Sequence, residues 1–245
     1  SWALARLQWP CQNLLEHLSI AAKPQLVRFK SPELSMVLWG LASSPSASSR
    51  SQSSMAEIVS AEFIRRGAAA FDAQSIATVA YSAGTIGLPE DNALWPAIGE
   101  GSEDRVDEFS DRQVANLVWA FATVTYTDAS KLFSRVGEER HVKDLAPIDL
   151  SLVAWAMAKL AHGGPDFYKR VADAVVAKER LWCESDTRNI ATLIYAFALV
   201  SQASEQDAAF RILATAVNQR LGDFAVQGLT NAIWGYATAC YAEQP

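Results

Sequence analysis

Short hydrogen-bonding side chains recur along the chain at spacings that place them on one face of successive helices. Counted from a repeating aromatic residue taken as position 0, positions −6, −3, +1 and +4 are three, four and three residues apart, one stripe of a helix. The stripe reads Glu33, Met36, Gly40 and Ser43 in one copy, then Ser75, Thr78, Ser82 and Thr85 in the next. Gln113, Asn116, Ala120 and Thr123 follow, then Asp149, Leu152, Ala156 and Lys159. The last two copies are Asn189, Thr192, Ala196 and Leu199, and Gly228, Asn231, Gly235 and Thr238. Amides and hydroxyls suit the edges of splayed, single-stranded bases, with the small +1 residue leaving room for them. Arg112 and Arg188, one place before −6, have the chemistry to take phosphates or to stack on a base. The candidate RNA contacts are therefore Ser75, Thr78, Arg112, Gln113, Asn116, Lys159, Arg188, Asn189, Thr192 and Asn231. The plainer alternative, a solvated or protein-contacting helix face, stands beside this reading.

The elements that carry the stripe are six copies of one motif: PELSMVLWGLAS, QSIATVAYSAGT, RQVANLVWAFAT, IDLSLVAWAMAK, RNIATLIYAFAL and QGLTNAIWGYAT. A truncated copy opens the chain as SWALARL. The central aromatics are Trp2, Trp39, Tyr81, Trp119, Trp155, Tyr195 and Trp234, at intervals of 36 to 42 residues. Aliphatic residues at −5 and small ones at −4 and +3 predict a helix buried over most of its circumference, here termed helix A, with the central aromatics in the core and not a stacking platform. Position −10 (Phe29, Phe71, Phe109, Leu145 and Phe224, broken by Ser185) is expected to plug the junction into helix A. A more charged helix B follows each A helix, marked by pairs such as Leu94-Trp95 with Ile98, Leu132-Phe133 with Val136 and Phe167-Tyr168 with Val171. Two-helix units cannot bury their own faces and must stack. The expected fold is all-α, an α-solenoid of about six to seven two-helix repeats with a period near 38 residues, forming one array over 1–245 that is an excerpt of a longer one.

Two stretches interrupt the pattern. Residues 43–54 (SSPSASSRSQSS) are a low-complexity tract expected to form a solvated loop. Residues 90–111 hold eight carboxylates against Arg105, a local charge of −7 in a chain of net charge −6, so the rest of the chain stands at +1. That balance excludes a generally basic, nucleic-acid-coating protein. Basic residues expected on the B helices, among them Arg65, Arg66, Lys169, Arg180, Arg211 and Arg220, are interspersed with acids and read as an ion-paired face.

Catalytic and metal-binding patterns are missing. His17, His141 and His162 stand apart, and Cys11, Cys183 and Cys240 are odd in number and widely spaced, with no ligand pattern. No catalytic residue, cofactor, metal, small-molecule substrate or membrane span is expected.

The phrases ANLVWAFATV, DLSLVAWAMAKL and GLTNAIWGYATA resemble the octotricopeptide repeat of organellar proteins, and the similar heptatricopeptide and RAP-associated helical repeats. The resemblance extends from Trp2 to Tyr241. It implies a non-catalytic protein of an organelle, a mitochondrion ahead of a chloroplast. Such a protein would bind ribosomal or messenger RNA along its A helices, with ribosomal or other assembly proteins as partners. The alternative is a scaffold subunit that holds an organellar assembly through protein contacts alone.

Overall fold

The computed structural model describes residues 12–44, 47–103, 105–138, 142–200 and 203–239. Trp2, Cys11, His141 and Cys240 lie outside the described residues. Every regular element among the described residues is helical: α1 (Gln12–Ala22), α2 (Ser31–Ala42), α3 (Ser49–Arg66), α4 (Ala73–Ile86), α5 (Leu94–Glu103), α6 (Asp111–Thr123), α7 (Ser130–Glu138), α8 (Pro147–Lys159), α9 (Gly164–Ala177), α10 (Glu179–Glu184), α11 (Thr187–Val200), α12 (Ala203–Gln219) and α13 (Val226–Thr238). The A motifs are α2, α4, α6, α8, α11 and α13. The chain divides into two compact units, 1–132 and 133–245, with the division inside α7. In the first, α4 packs between α2 and α6, and α3 packs on α5 as a second layer. In the second, α11 packs between α8 and α13, and α9 packs on α12. Each unit is thus solenoid-like, with neighbouring helices in contact.

Local chemistry sets the starts of the A helices. Asp72 accepts the Ser75 N–H at 2.7 Å, and Ser110 and Gln113 form a reciprocal capping box at the start of α6. Pro32 and Pro147 occupy first-turn positions, where a missing N–H costs no helical bond. Short 3-10 turns at Lys23–Arg28, Ala68–Ala70, Val106–Glu108, Val142–Asp144 and Leu221–Asp223 lead into the −10 residues. Phe71, Phe109, Leu145 and Phe224 are buried there, as the junction-plug expectation requires, and Phe29 is half-buried. Where Ser185 breaks the series, α10 replaces the 3-10 turn and the fully buried Trp182 fills the space three residues earlier.

The predicted B-helix pairs are core: Leu94, Trp95, Ile98, Leu132, Phe133, Phe167 and Val171 are all sealed from solvent. Residues 43–54 depart from the loop expectation, because Ser49–Ser54 are the first turns of α3. Ser48 caps that helix by accepting the Ser51 N–H, and the Gln52 side chain donates to the Leu41 carbonyl at 2.9 Å. Serines poor in the middle of a helix are well placed at its start. The acidic stretch 90–111 contains α5, the helix B that the Leu94-Trp95 pair predicts.

Basic side chains staple one repeat to the one before it. Arg66 donates to the carbonyls of Phe29, Val27 and Leu26, and Arg105 to those of Phe71 and Ala68. In the second unit Lys178 donates to the Leu145 carbonyl at 2.6 Å, and Arg220 to those of Ser185 and Cys183. Each cation closes the carbonyl end of a junction that has no further helical partner. Burial holds the Lys178 ammonium below its ordinary range, with Asp144 opposing the shift.

Glu62 orients the first staple. It accepts from Arg65 and from Arg66, and the hydrogen bond from Arg65, followed by that from Arg66, lowers its pKa to about 2 against the opposing cost of burial. A carboxyl depressed from 4.5 to about 2 stabilises the fold above pH 4.5 and loses that contribution as the pH falls towards 2. Because Arg65 is largely in water, we expect about 1–2 kcal/mol from this group rather than the full shift. Denaturant titrations of the native chain and Glu62→Gln at pH 7 and pH 3 check this. The stability gap between the two chains should shrink by more than half of that amount at the lower pH, because the folded carboxyl is still partly ionised there.

Candidate nucleic-acid interface

Packing decides which flank of each A helix meets solvent. Position +1 is buried in all six copies: Gly40, Ser82, Ala120, Ala156, Ala196 and Gly235. At Ala120 and Gly235 these small residues are contact points between A helices and leave no room for a ligand. A Cβ on Gly84 would lie 3.3 Å from the Cα of Ala120, and one on Gly235 only 2.5 Å from Ile194 Cγ2. The solvent-facing strip instead follows −7, −3, 0 and +4, which keeps two of the predicted positions and is rotated by about 50°, half of the roughly 100° per residue, towards the aromatic.

Two predicted contacts therefore fall away. Ser75 is 1% exposed and Thr78 9%, and the Thr78 hydroxyl accepts from Gln74, which covers it at 3.0 Å. Asp149 is buried at the −6 position of α8 as well. Gln113 is half-buried and already engaged, its Oε1 accepting the Ser110 N–H and its Nε2 donating to Gln74 Oε1 at 2.8 Å. Asn189 donates to Ser185 Oγ at 3.2 Å.

The remaining candidates lie at the surface. Arg112, Lys159 and Arg188 are exposed, and Asn116, Thr192 and Asn231 are half-buried. The side chains of Asn116, Thr192, Asn231 and Arg188 make no hydrogen bond to the other described residues. On α11, Arg188, Thr192 and Tyr195 follow the −7, −3, 0 spacing, and on the adjacent α13 Asn231 and Trp234 occupy −3 and 0.

The central aromatics are not sealed core residues, contrary to the sequence-based expectation. Trp39, Tyr81, Trp119, Trp155 and Tyr195 are half-buried, and Trp234 is 41% exposed. Rings of adjacent A helices meet in pairs: Tyr81 and Trp119 have centroids 4.8 Å apart, and so do Tyr195 and Trp234. Lys159 Nζ sits 5.2 Å from the centre of the Trp155 ring. These aromatics and Gln74 are the surface residues that the sequence reading missed. The available signal was the wheel itself, since position 0 falls between −7, −3 and +4.

Electrostatics around the strip are modest. Arg65 and Arg66 are tied to Glu62, Arg105 to Glu108, Lys169 to Asp173, Arg180 to Glu184, Arg211 to Asp207 and Arg220 to Asp223. In the first unit Glu90, Asp91, Tyr126, Thr127 and Asp128 line an open acidic hollow. Burial, and then Asp128, Glu100 and Glu103, push the Tyr126 hydroxyl above its ordinary range. That hollow repels phosphate. Among the described residues no three His, Cys, Asp or Glu side chains converge as a metal site, and no helix is long and apolar enough to cross a membrane. No protein-family model matches this chain, and no curated protein matches it either.

Proposed function

We propose that the protein binds single-stranded RNA along the solvent-facing strip of its A helices, as a non-catalytic helical-repeat protein with a period near 38 residues. The observation that carries this reading is the strip of the second unit. There a guanidinium, a hydroxyl and a carboxamide without a hydrogen-bond partner among the described residues (Arg188, Thr192 and Asn231) lie on the faces that present Tyr195 and Trp234. Half-exposed rings offer stacking surfaces that accept any base, worth about 1–3 kcal/mol each. Amides beside them can pair with base edges, which a duplex would hide. In the first unit, Asn116, Tyr81 and Trp119 repeat the arrangement, with Arg112 at −7. With so many basic groups held in ion pairs, affinity rests on stacking and hydrogen bonding, and its dependence on salt is shallow.

The motif resemblance supports an organellar setting, a mitochondrion ahead of a chloroplast, with ribosomal or messenger RNA as the ligand and a ribosome or another ribonucleoprotein as the context. A second reading, a protein scaffold, is favoured by the open acidic hollow lined by Glu90, Asp91 and Asp128, which suits a basic protein partner.

Fluorescence anisotropy with a pool of short single-stranded RNAs tests the proposal. Combined Arg188→Ala, Thr192→Ala and Asn231→Ala substitutions should weaken binding by roughly tenfold or more, equivalent to about 1.4 kcal/mol, while leaving the unfolding midpoint in place. Unchanged affinity in a folded triple variant would show the strip is not the binding surface. Retention of the native chain in a particle that resists complete RNase digestion, with no RNA affinity of its own, would favour the scaffold.

A further inference from the structure

The side chains of the solvent-facing strip recur in threes, and the threes coincide with the two compact units. At position 0 the order is Trp39, Tyr81 and Trp119 in the first unit and Trp155, Tyr195 and Trp234 in the second. At −3 it is Met36, Thr78 and Asn116, then Leu152, Thr192 and Asn231. An apolar side chain, a threonine and a carboxamide thus accompany the three rings in the same order twice. Packing follows the same order. In each unit the first A helix has a first-turn proline and a −4 serine, Ser35 or Ser151, whose hydroxyl donates to the carbonyl three residues earlier at 2.9 Å. The second and third A helices bring their rings together at 4.8 Å between centroids, with interplanar angles of 35° in one unit and 38° in the other. The third step is the most alike. Asn116 and Asn231 are both half-buried, and each lies one helical turn before a surface-facing indole. The middle step is less so, because Gln74 covers Thr78 while Thr192 is open beside Arg188.

We infer that the two units read the same base, a purine, one each, at their third A helix, and hold the base at their first A helix by stacking alone. This rests on the RNA binding proposed above and names the class of RNA. A carboxamide offers a donor and an acceptor side by side, the pairing set of a base edge, and neither Asn116 nor Asn231 spends it on another described residue. The indoles of Trp119 and Trp234 lie next to those amides and are covered more fully by the two rings of a purine than by the one of a pyrimidine. Met36 and Leu152, at the same position of the first helices, have no amide or hydroxyl to read an edge with, so Trp39 and Trp155 accept any base. The ligand is therefore a single-stranded RNA in which one purine recurs, rather than one in which six bases are specified independently.

Sequencing the fraction of a random single-stranded RNA pool that the 245-residue chain retains tests this. The retained sequences should prefer the same purine at two positions. Asn116→Ala should relax one of these preferences and Asn231→Ala the other, each by about tenfold. Alanine is the better helix former, so both variants should keep the native helical content, read by circular dichroism. Met36→Asn, at a 37% exposed site, should add a third position with a preference for that purine, a gain that a purely structural role of the −3 residues would not produce. Different bases relaxed by the two asparagine substitutions, or preferences that neither substitution moves in a folded chain, overturn the inference. So does a folded Met36→Asn chain without the third preference. Retained RNA that lacks a recurring purine overturns the inference and leaves RNA binding standing, whereas a native chain that retains no RNA overturns both.

Discussion

Truncating Trp95 to alanine should destabilise the first unit by about 4–5 kcal/mol, at the upper end for a large-to-small core substitution. The indole is fully buried in α5, meets Phe121 of α6 edge-on at 6.2 Å between centroids, and donates its Nε1–H to the Pro89 carbonyl at 2.8 Å. The substitution removes the aromatic contact area, opens a cavity between the A and B layers and deletes a hydrogen bond. Such a loss approaches the whole stability of a small domain, so Trp95→Phe, which keeps most of the volume, serves as the graded companion. Urea unfolding followed by far-ultraviolet circular dichroism reads both. Trp119→Ala provides the contrast: its ring is half-buried against Tyr81, and its removal should cost about 2 kcal/mol. Equal costs at Trp95 and Trp119 would contradict the division of the aromatics into a sealed B-helix set and a surface-facing A-helix set.

Gly235→Val is expected to cost about 3 kcal/mol and to act through the A-helix stack of the second unit. Even the first added carbon would lie 2.5 Å from Ile194 Cγ2 and 3.2 Å from the Ile194 carbonyl oxygen. Ile194 is fully buried and the carbonyl is part of α11, so neither can swing aside as the end of a long side chain would. The gain in helix propensity on replacing glycine, less than about 1 kcal/mol, does not offset the overlap. Gly222→Ala, in the turn before α13, meets nothing within 4 Å and should be nearly neutral. A thermal unfolding series on the three chains checks the order. Gly235 also sets the separation of α11 and α13. Its replacement should therefore part Tyr195 from Trp234 and, on the proposed function, weaken RNA binding even where the protein stays folded.

Much of this architecture is written in local patterns. The spacing of Leu34, Ile76, Val114, Leu150 and Ile190 marks a buried line on the first five A helices, where all five are sealed, while Leu229 at the same position of α13 is half-buried. Ser110, Asp72 and the first-turn prolines mark where helices begin. Leu94-Trp95 and Phe167-Tyr168 identify helix B because paired large residues followed by an aliphatic residue can only serve a core. The serine tract at 43–54 misleads because its composition suits both a loop and a capped helix start. Only the Ser48 cap and the bond from Gln52 to Leu41 decide for helix.

The sequence by itself determined the helices, their A and B characters and the junction plugs. Each of these depends on hydrogen bonds and apolar periodicity within a few turns of chain. Tertiary structure alone decided the rotation of each A helix. Small residues at +1 read equally well as space for a ligand and as space for a neighbour, and that choice carries Ser75 and Thr78 into the interior and brings the aromatics to the surface. It also assigned Arg66, Arg105, Lys178 and Arg220 to carbonyls 33 to 40 residues earlier. A cation's partner across such a distance is set by where the helices meet, and no local pattern encodes that meeting.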